Sequence, residues 1–139
     1  MKRYGNIYEK IYSYDNLLKA HHNARKGKGF YQEVKKFNSN EDYYIKQIQK
    51  MLIDKTYKTS DYTVFTIEDK GKEREIYKLP YFPDRVVQWA IMLQLEPIFL
   101  ETFIYDSYAA IPNKGMHLAS TRLSKWLKYD KENTLYCFK

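Results

Sequence analysis

Three basic side chains, Lys70, Lys72 and Arg74, lie close together in the stretch IEDKGKEREIY. Two β-prone runs, 62–67 and 74–79, flank the turn sequence DKGK and predict a β-hairpin with these cations at or beside its tip. Because a hairpin fixes the spacing of its side chains, several cations on one hairpin suit the oxygens of a phosphate group. From these residues alone, a phosphate site and an exposed turn with solvated charges remain equally open.

The histidines and aspartates show no comparable pattern. His21 and His22 are adjacent on a predicted helix, so we expect them to point in divergent directions as ordinary surface histidines. His117 stands at a predicted helix start, where capping or packing is the expected role. No HExxH, GxSxG, Walker lysine loop or CxxC sequence occurs. Three aspartates are too scattered to suggest a metal-binding pair: Asp84, Asp106 and Asp130.

Helices must position most of these residues. The N-terminal sequence predicts a short helix and a second helix, capped by Ser13 or Asp15 and ended by Gly27 and Gly29. A further helix follows FNSN, with Ser39 or Asn40 as its cap. Its apolar face is predicted to contain Tyr44, Ile45, Ile48, Met51 and Leu52.

The second half of the chain predicts the hairpin and two more helices. We expect a buried helix from Pro83 or Asp84 to about Thr102, ended or kinked at Pro97. A last helix, 116–128, should turn Met116, Ala119, Leu123, Trp126 and Leu127 inward, and Phe65, Ile67, Ile76 and Leu79 should pack beneath the hairpin. The sequence predicts an α+β fold, mainly helical with one hairpin, comprising an N-terminal helical region, 1–58, and a remainder, 59–139.

The sequence carries 24 lysines and arginines against 17 acids, a formal net charge of +7. Such an excess favours polyanionic partners, because binding releases their counterions. The cations cluster in 21–36 (Arg25, Lys26, Lys28, Lys35 and Lys36, against Glu33) and in 114–131 (Lys114, Arg122, Lys125, Lys128 and Lys131, against Asp130). We interpret the two clusters as a track for nucleic acid, with ordinary solubilising charges as the alternative. The 15 tyrosines fit a core, a stacking surface or a biased codon usage.

Cysteine usage and hydropathy indicate the cellular compartment in which the protein is expected. The single cysteine, Cys137, excludes an internal disulfide and a cysteine-rich zinc site. The N-terminus has no apolar segment long enough for a signal peptide, and polar residues and Pro97 interrupt the apolar stretch VVQWAIMLQLEPIFLETFI. We therefore expect a cytoplasmic protein with no membrane partner.

The stretch REIYKLPYFPDRVVQWAIMLQLEPIFLETFIYDSYAAIPNKGMHLA, residues 74–119, resembles the fingers region of bacterial reverse transcriptases. The similar enzymes are those of group II introns, retrons and diversity-generating retroelements. They share the order arginine, proline, DRVVQ with an apolar helix, LEPIF, SY, and a basic residue–glycine loop before a histidine. Residues 7–58 and the hairpin resemble their N-terminal region more loosely. The resemblance implies the fingers subdomain of a right-hand RNA-directed DNA polymerase, which is an incomplete fold by itself.

The resemblance also implies roles for individual residues. Lys70, Lys72 and Arg74 would neutralise the triphosphate of the incoming dNTP, and Asp84 and Arg85 of DRVVQ would cap the helix and brace the fingers. The loop of Asn113, Lys114 and Gly115 would contact the template or primer backbone. From the two basic clusters, and not from the resemblance, we expect further nucleic-acid contacts at Arg122, Lys125, Arg25, Lys26 and Lys28. The chain departs from the family at Ile111, where an arginine is common, and so has one cation fewer in that loop.

In such enzymes an apolar run like LYCFK leads into the first catalytic aspartate of the palm. The resemblance therefore implies a fragment whose catalytic carboxylates and Mg²⁺ site lie past Lys139, with none in the fragment itself. It implies RNA template, DNA primer, dNTP and the palm and thumb of the same polypeptide as partners. Whether the fragment alone self-associates, through apolar surface that those domains cover, stays open.

Two other function classes stay open. One is a non-catalytic RNA-binding module on a polymerase-derived fold, and the other is a protein-interaction or scaffold domain. Binding to phosphate should weaken by orders of magnitude between low and moderate salt, whereas scaffold binding should be insensitive to salt.

Overall fold

The computed structural model describes residues 3–130 and 132–133. It confirms an α+β fold that is mainly helical with one two-stranded antiparallel hairpin. The chain divides into two compact units, Met1–Pro97 and Ile98–Lys139. The sequence-based boundary at residue 58 thus lies within the first unit. Within the described part of the chain, no helix has the length and apolar character needed to cross a bilayer.

Four helices open the first unit. They are α1 (Ile7–Tyr12), α2 (Tyr14–Ala24), α3 (Gln32–Asn38) and α4 (Glu41–Ile53). Ser13 precedes α2 as predicted, but its hydroxyl donates to the Lys10 carbonyl at 2.9 Å and makes no capping bond. The helix α3 is absent from the sequence-based expectation, which placed only the break FNSN in this region.

The core of the first unit forms where α2, α3 and α4 meet the segment after the hairpin. Its fully buried apolar side chains include Leu17, Ala20, Val34, Phe37, Ile45, Ile48, Val86, Val87 and Ala90. The predicted inner face of α4 is confirmed at Ile45, Ile48 and Leu52, whereas Tyr44 and Met51 are half-buried. The apolar spacing therefore identified the side of α4 that packs.

The hairpin consists of β1 (Thr63–Asp69) and β2 (Lys72–Lys78), with Phe65 opposite Ile76 and Asp69 opposite Lys72. Lys70 and Gly71 form the turn with φ of 53° and 75°, the pair of positive values that a type I′ turn requires. The expected packing beneath the hairpin is wrong for Phe65 and Ile67, which are 44% and 41% exposed. The alternation of side chains predicts an apolar face of the hairpin, but it does not predict whether another element packs on that face.

A tight turn, Tyr81–Arg85, follows the hairpin; its Phe82 has extended backbone angles (φ −104°, ψ 131°) and precedes Pro83 through a cis bond. Helix α5 (Val86–Thr102) begins after this turn, slightly later than expected, and Pro97 lies within it. The expectation of a buried helix is wrong beyond its first turns. Its buried residues are Val86, Val87 and Ala90, while Met92, Phe99 and Leu100 are exposed.

The second unit contains the end of α5 and the helix α6 (Met116–Tyr129). The bounds of α6 confirm the predicted helix, but the side chains that were expected to face inward are not buried by any described residue. None of its side chains is buried, and Met116 is 82% exposed. The amphipathic spacing marks an apolar stripe without a described partner. The predicted strand-like run TLYCFK, with Cys137, lies outside the described residues.

Candidate nucleic-acid interface

The hairpin separates its charges by face. Side chains alternate along a strand, and directly opposed residues share a face. The register therefore puts Lys72, Arg74 and Lys78 on one face, while Lys70 occupies the turn. The opposite face carries Glu68, Glu73 and Glu75. The hairpin cations predicted from the sequence thus share one face and its tip, and the acids of β2 point the other way.

Arg74 has a carboxylate neighbour on its own face. Its Nη2 lies 3.1 Å from Asp69 Oδ2, and both side chains are substantially exposed. An ion pair in such a setting contributes only about 0–1 kcal/mol, since solvent screens it. A phosphate dianion can therefore replace Asp69 as the partner of Arg74 at little cost.

A groove of about 620 Å³ lies in the first unit, between the base of the hairpin, the region of α3 and the turn before α5. The hairpin contributes Thr63, Phe65, Ile76 and Lys78, which belong to the cationic face described above, and Tyr77 from the opposite face. The rest of the lining comprises Lys28, Tyr31, Glu33, Val34, Tyr62, Leu79, Tyr81, Arg85 and Gln88. The groove therefore continues the cationic face towards the helical core.

Glu33 joins α3 to the exit of the hairpin. Its Oε1 lies 2.6 Å from Lys78 Nζ, and its Oε2 accepts the Tyr81 backbone N–H at 2.8 Å. The Lys78 bond and then the Tyr81 bond lower the pKa of the Glu33 carboxyl, so it is ionised at neutral pH. This carboxylate fixes the point at which β2 meets the core.

Asp84 anchors the other strand. The fully buried carboxyl accepts the Tyr57 hydroxyl at 2.7 Å and the Ser60 backbone N–H at 3.2 Å through Oδ1. Its Oδ2 has no hydrogen-bond partner among the residues that the structure describes. Burial, followed by the bond to Asp84, raises the pKa of Tyr57 to about 12. The resemblance implied a structural role for Asp84. Its contacts with Tyr57 and Ser60 connect the turn before α5 to the segment that precedes β1.

His21 is at the centre of a buried polar network, so the expectation of a surface histidine is wrong. It is 0% exposed and stacks on Phe37 with ring centroids 4.3 Å apart. Its Nε2 lies 3.0 Å from Asn38 Oδ1 and 3.1 Å from Glu41 Oε2. These two acceptors place the ring hydrogen on Nε2, which leaves Nδ1 to accept the Tyr81 hydroxyl at 2.9 Å.

The His21 ring is neutral at pH 7. Burial lowers its pKa to about 4, although the nearby Glu41 carboxylate opposes the change. The two histidines are not divergent either, because His22 Nε2 lies 3.4 Å from the same Glu41 oxygen. The hydrogen bond between the buried side chains of His21 and Tyr81 therefore joins α2 to the turn after the hairpin.

The predicted cations of the first basic stretch have different environments. Arg25 Nη1 donates to Asn38 Oδ1 at 3.1 Å and lies 3.6 Å from Glu41 Oε2, so it belongs to the His21 network. Lys26 is exposed just after α2, and Lys28 lines the groove. Arg85 is also exposed at the groove, where its Nη1 lies 3.4 Å from Gln88 Oε1.

In the second unit, Lys114 and Arg122 lie among aromatic rings. The Lys114 ammonium lies 4.7 Å from the Tyr105 ring centroid and donates to the Tyr105 carbonyl. The Arg122 guanidinium lies 5.3 Å from the same ring and 5.2 Å from the Trp126 ring, and its Nε pairs with Asp106 at 3.1 Å. Arg122 therefore holds the loop before α6 to that helix, whereas Lys114 joins two parts of the loop itself.

For the other nucleic-acid contacts predicted in the second unit, the structure gives backbone conformation and exposure. Asn113 has a φ of 61°, in the left-handed region, and Lys125 is exposed on α6. Gly115 has a φ of 177°, which is extended backbone, and a Cβ there would meet no atom within 4 Å. This conformation does not require glycine. Ile111 is half-buried in the same loop.

Sequence reasoning missed Tyr31, Phe65, Tyr81 and Gln88 as groove residues. Glu33 gave one usable signal, because it is the single acid in a basic stretch. Such a residue commonly has a specific cationic partner, which here is Lys78.

The Mg²⁺ implied by the family needs a set of carboxylate ligands. Across residues 3–130 and 132–133, no three histidine, cysteine, aspartate or glutamate side chains converge as a metal site would require. The described residues do not fit the ion. No protein-family model matches this sequence, and a search of curated proteins gives no match.

Proposed function

We propose that this chain is the fingers region of an RNA-directed DNA polymerase, whose hairpin binds the triphosphate of a nucleotide. The polymerase identity rests on the resemblance of residues 74–119. The observation that carries the binding role is the placement of Lys72, Arg74 and Lys78 on one hairpin face, with Lys70 at the tip and the glutamates opposite.

The geometry supports this role in a specific way. A triphosphate approaching the cationic face meets Lys72 and Arg74 on adjacent same-face rungs, because they are two residues apart in β2. The Glu33 and Asp84 contacts hold both strands at the base of the hairpin, so its cationic face has a fixed orientation before the ligand arrives. The glutamates orient the hairpin, since their face repels the same ligand.

The binding role is tested by titrating a nucleoside triphosphate into the 139-residue chain. The triple variant Lys70→Gln/Lys72→Gln/Arg74→Gln should bind at least tenfold more weakly. The matched control Lys35→Gln/Lys36→Gln/Lys50→Gln removes the same charge from exposed sites on α3 and α4 and should bind nearly as the wild type does. Equal losses in both variants would indicate net charge alone and would refute the hairpin site.

The polymerase identity has a separate test in the gene downstream of Lys139. The proposal requires an aspartate shortly after this position and a paired-aspartate motif later. A stop codon immediately after Lys139 would exclude the polymerase and favour the non-catalytic RNA-binding module.

A further inference from the structure

The outer edge of strand β1 has no strand beside it. Strands β1 and β2 form a two-stranded sheet, and no third strand of the described residues pairs with either. In a hairpin with a two-residue turn, Asp69 and Lys72 exchange hydrogen bonds, so alternate residues of β1 direct their backbone groups away from β2. These outward residues are Val64, Thr66 and Glu68. The backbone bonds of the described residues outside the hairpin include none to their N–H or C=O groups.

The two edges of the hairpin differ in charge. Natural sheets protect a free edge with charged side chains, which oppose pairing with a further strand. Strand β2 has this protection, because five of its seven residues, KEREIYK, are charged. Strand β1, TVFTIED, carries no charge from Thr63 to Ile67, and six of its seven residues are exposed. The edge of β1 is therefore the one that can accept another strand.

The hairpin also gains from a further strand. A two-stranded hairpin is only marginally stable in water, whereas three or more strands give an independently stable sheet. Phe65 and Ile67 are 44% and 41% exposed, so the packing of this hairpin leaves apolar surface in contact with water. A strand beside β1 would cover part of that surface and bond the outward backbone groups.

Strand β1 is complementary to a second copy of itself. If two β1 strands pair antiparallel over their full length, Thr66 lies opposite the partner's Thr66 on a twofold axis. Phe65 then lies opposite the partner's Ile67, Val64 opposite the partner's Glu68, and Thr63 opposite the partner's Asp69. No like charges are opposed, and threonine pairs and pairs of an aromatic with a β-branched residue are favourable across strands. The outward residues of the two copies also meet each other, so every free N–H and C=O of this edge gains a partner.

Strand β2 does not have this self-complementarity. The same full-length pairing of two β2 strands would place Lys72 opposite the partner's Lys78 and Glu75 opposite the partner's Glu75. Like charges directly opposite each other are destabilising. Pairing of β1 with β1 therefore produces a four-stranded sheet with charged β2 strands at both outer edges, which closes the assembly at two copies.

We propose that this chain forms a closed dimer in which two β1 edges pair antiparallel about Thr66. The contact uses the hairpin edge and not the apolar surface of α5 and α6, and it does not rest on nucleotide binding. The axis is perpendicular to the sheet, so the faces that carry Lys72, Arg74 and Lys78 lie on the same side in both copies. Because seven residues a side is fewer than the roughly 20–30 of a standard interface, the dimer should dissociate on dilution.

The first test is sedimentation equilibrium of the 139-residue chain over a wide range of concentrations, at moderate salt. Thr66→Pro removes the central outward N–H but none of the bonds to β2, since proline is tolerated at a free edge. The dimer then loses one N–H donor per copy, so self-association should weaken at least about tenfold. Glu75→Pro is the matched control, because it makes the same change on the same rung at the outer edge of β2. It should self-associate as the wild type does.

A second test uses charge at the axis. Thr66→Lys and Thr66→Glu each place like charges opposite each other in a homodimer, so each variant alone should be monomeric. An equimolar mixture of the two places opposite charges on the axis and should form a heterodimer. The same pair of substitutions at Thr121, exposed on α6, should leave the wild-type self-association unchanged, alone or mixed.

Hydrogen exchange locates the contact without any variant. Raising the concentration of the wild-type chain should slow exchange of the outward amides of β1, at Val64, Thr66 and Glu68. The outward amides of β2 lie across the hairpin on the same rungs, at Tyr77, Glu75 and Glu73, and should be unaffected. This measurement keeps the proposal testable even if a proline variant fails to fold.

Four outcomes would overturn the proposal. One is a wild-type chain that is monomeric at every concentration and shows no added protection in β1. Another is a dimer that survives Thr66→Pro, which would place the contact elsewhere, for example on the apolar surface of α5 and α6. The third is a mixture of Thr66→Lys and Thr66→Glu that stays monomeric. The fourth is open-ended assembly in which the outward amides of β2 are protected as well.

Discussion

The carboxylate of Glu33 lies 2.6 Å from the ammonium of Lys78 and so ties α3 to the last residue of β2. The same carboxylate accepts the Tyr81 N–H at 2.8 Å. Glu33→Ala removes that acceptor, and the Tyr81 amide should exchange its hydrogen about fivefold faster, equivalent to about 1 kcal/mol. Native-state hydrogen exchange measures this, with Glu9→Ala in α1 as the control. An unchanged Tyr81 amide would show that the hairpin exit is held by other contacts.

The pH dependence of the Glu33 contact has a defined sign. Because the folded pKa of Glu33 is lowered, its contribution is present above the unfolded pKa and is lost as the pH falls through the folded value. Acidification should therefore reduce the protection of the Tyr81 amide, measured relative to its intrinsic exchange rate, and this loss should disappear in Glu33→Gln.

Tyr57→Phe should destabilise the first unit by about 1–3 kcal/mol, because the buried Asp84 carboxyl loses one of its two donors. Chemical denaturation measures the free energy of unfolding. Tyr43→Phe removes a hydroxyl from an exposed tyrosine and should change it by less than about 0.5 kcal/mol. Equal values for the two variants would refute the anchoring role of Asp84.

His21 should make stability fall on acidification from about pH 6.5 to pH 4. The folded pKa is lowered to about 4, so protons bind the unfolded chain first, and up to roughly 3 kcal/mol is lost across this window. Denaturation at a series of pH values should show a shallower slope in His21→Gln. His22→Gln, at a half-exposed ring, should keep the wild-type slope. Parallel slopes in all three proteins would contradict the neutral buried ring.

Asp69→Asn should strengthen triphosphate binding about twofold to fivefold. The substitution removes an exposed ion-pair partner of Arg74 and one negative charge from the cationic face. Glu73→Gln removes the same charge from the opposite face and should have a smaller effect. Binding is measured by titration at low salt. A larger gain from Glu73→Gln would contradict the assignment of the binding face.

Gly71→Ala should destabilise the hairpin by about 1–2 kcal/mol, since a φ of 75° places a Cβ in conflict with its own backbone. Gly29→Ala has open space and no positive φ, so it should be nearly neutral. Amide exchange in β1 and β2 measures the difference. Identical protection in the two variants would be inconsistent with the type I′ turn.

The sequence predicted local structure better than burial. Periodicity located α4, α6 and both strands, because each pattern depends on backbone geometry within a few residues. Periodicity failed to predict the burial of the apolar faces of α6 and the hairpin. An apolar stripe shows that packing against another element would be favourable, but it does not show that such an element is present. Periodicity missed His21 for a related reason, since the burial of a polar ring depends on Asn38, Glu41 and Tyr81, which are distant in sequence.

The candidate site shows the same limit. The cations at Lys70, Lys72 and Arg74 could be placed together from the sequence, because a two-residue turn fixes the register. The groove could not be predicted, since Glu33 joins α3 to Lys78 and Tyr81 through contacts between residues that are distant in sequence.

Lys70 adopts a φ of 53° at the hairpin tip, where asparagine or glycine is conformationally easier. A library selected for thermal resistance alone should therefore replace Lys70 early, mainly with these two residues, and lose a cation as the turn becomes more stable. Persistence of lysine under that selection, in the absence of any phosphate ligand, would mean that its side chain contributes to folding and not to ligand capture.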